Sequence, residues 1–139
     1  MNIEKITLSN EAEISYFSKS TVEEIAYTLY KGIIAVGTIT LVATQSVALT
    51  LIDSLTNFAE KPFIKSIIAD DDSVCLITFK RSKPILSDKV NISYTPIEAC
   101  GIEMISGQNM LVYDWIDAEL FYDLVNLNNK IVLFGLEEK

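Results

Sequence analysis

With 139 residues, half of them hydrophobic, the chain is long enough to bury a core without disulfide or metal staples, and its composition excludes disorder. A net charge of −8 argues against a nucleic-acid partner, whose phosphates need clustered Lys and Arg, but it suits a basic protein partner. The absence of histidine removes Ser-His-Asp and Cys-His catalysis, the usual pH switch and most zinc sites.

Taken in order, residues 2–8 alternate Ile3, Ile6 and Leu8 loosely with polar positions and predict an edge strand, with a break at Ser9-Asn10. This opening lacks the basic and apolar regions of a signal peptide, and with two cysteines, Cys75 and Cys100, read as buried thiols, it predicts a cytoplasmic protein. Sequence spacing leaves a disulfide between them open. Ser20–Glu23 and Thr21–Glu24 both fit a capping box, so a helix is expected from Val22 to Lys31 with Gly32 as its stop. Ile25, Leu29 and either Ala26 or Tyr30 form its inner face.

The chain then enters an uncharged run of 21 residues, Gly32 to Ile52. Its length would span a bilayer, but six Thr, Ser and Gln side chains dilute it and the flanking lysines are balanced, so a transmembrane reading is disfavoured. The soluble reading makes Ile33–Ala43 a buried strand bent at Gly37. Gln45–Glu60 becomes a helix with Ala48, Leu51, Ile52, Leu55, Phe58 and Ala59 on one face, and a strand through Val47–Ile52 is the alternative. Each Ile, Val or Leu buried there contributes about 1.5–3 kcal/mol, so the run is the expected core.

Lys61-Pro62 is expected to close that helix. Phe63–Ala69 and Val74–Lys80 read as a hairpin around Asp70-Asp71-Asp72-Ser73, and Lys80–Pro84 is the basic cluster. Strands follow at Val90–Tyr94, Ile97–Ile105 and Met110–Ile116, the last two joined by a turn at Ser106–Asn109. Asp117 caps a helix over Ala118–Leu127 with Leu120, Phe121, Leu124 and Leu127 inward, and Ile131–Phe134 is the last strand. Strands cluster without alternating with helices. The expected fold is therefore a single α+β domain, residues 1–139, with two or three helices on a mostly antiparallel sheet.

Catalytic chemistry is scarce. The five glycines build no phosphate loop, and Arg81 is the only arginine. Asp70–Asp72 could ligate Mg²⁺ or Ca²⁺, but the spacing of a recognised loop is missing. Glu98 or Glu103 with Asp114 could form an acid–base pair, a signal any acidic chain offers. No catalytic residue, metal or cofactor is expected.

Between Val90 and Asn129 lie six acidic residues and no Lys or Arg. Within that span, residues 113–123 read YDWIDAELFYD, four aromatics among four carboxylates. Aromatic anchors surrounded by carboxylates suit a basic partner. The expected binding residues are Asp114, Trp115, Asp117, Glu119, Tyr122 and Asp123, although Trp115 and Phe121 would serve equally as core and Asp117 as a helix cap. The first reading is a non-catalytic module occupying a basic site on a toxin- or nuclease-like partner, as an inhibitor, antitoxin or immunity protein does. The alternatives are a homo-oligomeric subunit of a phage or secretion-type assembly, and a carboxylate-metal enzyme.

Overall fold

The computed structural model describes residues 2–7, 13–58, 73–81, 90–128 and 130–137. Seven strands, β1 (Asn2–Thr7), β2 (Glu13–Ser20), β3 (Thr38–Thr44), β4 (Val74–Arg81), β5 (Val90–Pro96), β6 (Met110–Tyr113) and β7 (Lys130–Leu136), form one sheet in the order β1-β2-β7-β6-β3-β4-β5. The helices are α1 (Val22–Val36), α2 (Gln45–Leu55), the single turn α3 (Ile102–Ile105) and α4 (Ala118–Leu127). The chain is an α+β domain, but its sheet is mixed, not mostly antiparallel. The pairs β2·β7, β7·β6 and β6·β3 are parallel, and antiparallel pairs occur only at the two ends.

The uncharged run is explained by three elements meeting at the centre. Its first residues complete α1, which passes through Gly32 and ends at Gly37 (φ 86°), whose N–H donates to the Ile33 carbonyl at 2.8 Å. Gly37 is thus a left-handed helix cap, the conformation glycine adopts without a Cβ penalty, and not a bend in a strand. β3 follows, with Leu41, Val42 and Ala43 all fully buried, because helices cover both faces of the sheet there. Thr44 then caps α2, which buries Ala48, Leu51, Ile52 and Leu55. Since α2 is helical from Gln45, the strand alternative for Val47–Ile52 falls. No helix among the described residues is long and apolar enough to cross a membrane.

One core lies between the sheet and α1 with α2, around Ile25, Leu29, Leu51, Ile77, Phe79 and Phe134. The other lies beneath α4, around Val42, Val112, Leu124, Val125 and Ile131. The crossovers β2-α1-β3 and β6-α4-β7 run in opposite directions along the sheet with their helices on opposite faces, so both have the same hand.

Other expectations change for local reasons. The strand β2 is new, and it pairs in parallel with β7. β4 pairs with β3 on one edge and with β5 on the other; the expected hairpin partner is Phe63–Ala69. That segment, the Asp70–Asp72 turn and Pro62 lie outside the described residues. Ile97–Ile105 is not a strand. A 3₁₀ turn at Ile97–Ala99 and then α3 tuck Cys100 and Ile105 against the α4-side core. Both cysteines are free thiols: Cys75 is buried and Cys100 partly so.

Candidate partner-binding surface

The surface is built by the link from β6 to α4. β6 is short because it ends where its ladder with β7 ends. Tyr113 pairs with Phe134, and the Asp114 N–H makes the last bond, to the Phe134 carbonyl at 2.9 Å. The turn that follows tucks Ile116 under α4 and turns Trp115 outward, leaving it 73% exposed. Asp117 then starts the helix, its carbonyl accepting from Phe121 N–H at 3.0 Å while its carboxylate makes no capping bond.

α4 presents two stripes. Leu124 and Val125 are buried with Leu120 and Phe121 beside them, while Glu119, Tyr122, Asp123 and Asn126 point away from the sheet. Tyr122 is 62% exposed. This division follows from the 3.6-residue period: positions 119, 122, 123 and 126 share the face opposite 120, 121, 124 and 125. The buried Asn128 holds the far end of α4. Its Nδ2 donates to the Leu124 carbonyl at 2.9 Å and to the Ile105 carbonyl at 2.7 Å, while its Oδ1 accepts from Gln108 N–H at 2.8 Å.

Trp115, Asp117, Glu119, Tyr122 and Asp123 therefore lie on one outward-facing turn and helix face. Asp114 does not join them. It lies on the turn beyond β6 rather than within that strand, and its Oδ2 accepts from the Tyr16 hydroxyl at 2.6 Å. Its Oδ1 is buried without a hydrogen-bond partner. The hydrogen bond to Asp114, with burial a lesser cause, pushes the Tyr16 phenol up to about 12. Such a phenol is a donor at neutral pH and no base, so the pair fixes the turn. Sequence gives Tyr16 no such role, since its partner lies 98 positions away and the run Ile14 to Phe17 breaks the apolar–polar alternation at Phe17.

Glu98 and Glu103 are exposed on the 3₁₀ turn and α3, whereas Asp114 is engaged by Tyr16, so the acid–base pairing gains no geometry. Among the described residues no group of three or more Cys, Asp or Glu side chains is placed to hold a metal ion. No family model, curated protein or solved structure matches the chain.

Proposed function

We propose that this chain is a non-catalytic acidic module that binds a basic site on a partner protein and masks it, in the manner of an inhibitor, antitoxin or immunity protein acting in the cytoplasm. The observation that carries the reading is the exposure of Trp115 and Tyr122 among Asp117, Glu119 and Asp123, in a stretch from Val90 to Asn129 without one Lys or Arg. Trp and Tyr are the side chains that most often anchor an interface, and the surrounding carboxylates would steer a cationic partner and speed its docking. The self-assembly reading rested on the uncharged run. Most of its apolar residues, among them Ile33, Leu41, Val42, Ala43, Ala48, Leu51 and Ile52, are buried within the chain's own core, and Ile34 and Val36 at the end of α1 stay exposed, which leaves that reading only a short patch.

The test is affinity capture from the native host with the unaltered chain and with the triple variant Asp117→Lys, Glu119→Lys, Asp123→Lys. A basic protein retained by the first at low salt, lost from the second and released by raised salt supports the reading. Equal retention by both proteins, with their melting curves alike, overturns it.

A further inference from the structure

The sheet face opposite α4 carries a second feature, independent of the acidic helix. A cleft of about 680 Å³ opens between the start of α1 and the end of α2, floored by the carboxyl ends of β2 and β7. The Glu137 N–H donates to the Ser20 carbonyl at 2.8 Å and closes that floor. Sheets with parallel strands and helical crossovers bind ligands at the carboxyl ends of their strands, where the connections leave room.

The chemistry of the walls selects the ligand. Glu23, Asp53 and Glu137 line the cleft, and among the described residues no Lys or Arg does. The N-terminus of α1 would ordinarily attract an anion, but its capping box is complete: Glu24 N–H donates to Thr21 Oγ1 at 3.1 Å, and Thr21 N–H to Glu24 Oε1 at 2.9 Å. The C-terminal turn of α2, the negative end of its dipole, faces the same space with no basic residue in its last turn. Both features favour a cation. A bare metal ion is disfavoured, since no three carboxylates among the described residues converge.

A buried hydroxyl supplies the further observation. Ser54, 8% exposed, lines the cleft with its Oγ buried and unpartnered. Its neighbours on the same turns are satisfied: Thr50 Oγ1 donates to the Ser46 carbonyl at 2.9 Å and Thr56 Oγ1 to the Asp53 carbonyl at 2.6 Å. A buried hydroxyl left without a partner costs about 1–3 kcal/mol, which a ligand donor would recover.

We propose that this cleft binds an organic cation with several N–H donors, an alkylammonium or guanidinium group, with the carboxylates of Asp53 and Glu137 accepting and the Ser54 hydroxyl rotating into the cleft to accept as well. The source is either a free polyamine or a basic side chain of a protein. The test is an amide-resolved NMR titration of the full chain with spermidine, with arginine amide, and with urea as the neutral control. Saturable shifts at the Ser20, Ser54, Asn57 and Glu137 amides are expected with the cations and not with urea. Asp53→Asn and Glu137→Gln are surface changes that preserve the spectrum, and each weakens binding about fivefold. Tighter binding of spermidine identifies a free polyamine, and tighter binding of arginine amide identifies a side chain. Absence of saturation at those amides up to ~10 mM cation, or unchanged affinity in the double variant, overturns the assignment. Neither result bears on the α4 surface, where charge reversal leaves this cleft intact.

Discussion

Tyr16 and Asp114 meet across a strand that belongs to neither of them. Tyr16 lies on β2 and Asp114 just beyond β6, with β7 between, and their 2.6 Å hydrogen bond passes over Gly135 of β7. A methyl group there would press on Asp114 Oδ2 and lie 3.3 Å from the Tyr16 hydroxyl. The glycine is therefore what lets the two side chains join, and the bond anchors the turn that turns Trp115 outward.

Gly135→Ala is accordingly expected to destabilise the fold by about 2 kcal/mol, by chemical denaturation. In a Tyr16→Phe background the same change costs clearly less, because the crowded bond is already gone. Additive costs would contradict the contact. The phenol also titrates in a definite direction. Its pKa is raised from 10.0 to about 12 in the folded chain, so its contribution is whole below pH 10 and is lost as pH rises toward 12. The Tyr16→Phe protein lacks that alkaline fall.

The two glycines near the end of α1 are expected to respond oppositely to alanine. At Gly32, inside the helix, a Cβ meets only the Ile39 side chain, at 3.2 Å, and Ile39 borders an apolar groove of about 210 Å³ into which it can shift. Gly32→Ala should stabilise by about 0.5–1 kcal/mol through helix propensity. Gly37→Ala forces a side chain into φ 86° and should destabilise by about 1 kcal/mol. Melting temperatures moving in the same direction would refute the placement of the helix end.

Both thiols are expected to be sluggish. Burial pushes Cys75 up to about 11 and raises Cys100 above its ordinary value, and their Sγ atoms donate to the Ala43 and Pro96 carbonyls, each at 3.5 Å. A thiol-reactive chromophore at about pH 7 should label neither quickly in the folded chain, Cys100 ahead of Cys75, and both at once in denaturant. Prompt labelling of Cys75 in the native protein would contradict its burial.

Charge reversal separates the carboxylates that sequence places together. Asp117→Lys, Glu119→Lys and Asp123→Lys should each change stability by less than about 1 kcal/mol, since they face outward and Asp117 makes no capping bond. Asp114→Lys should cost about 2–3 kcal/mol by breaking its bond with Tyr16 and crowding a part-buried site. Equal effects at all four positions would refute the division.

What sequence makes legible here is local. The limits of α4 follow from Asp117 before an apolar stripe of helical period, and the start of α1 from Thr21 and Glu24. Gly32 misleads because a glycine inside a helix and one after it look alike in sequence; the neighbouring Ile39 contact and the φ of Gly37 decide between them. The parallel centre of the sheet is illegible because β2 finds β7, pairing Ile14 with Ile131, and no short-range pattern encodes that choice. Asp114 reads like its neighbours for the same reason: its partner lies 98 positions away.

Hydrogen exchange of the complex with its captured basic partner tests the central claim most directly. The surface proposed here predicts new protection over residues 115–126, with the α1 and α2 face unchanged. Protection confined to α1 and α2 or to the β1 edge, with 115–126 exchanging as in the free chain, would contradict it.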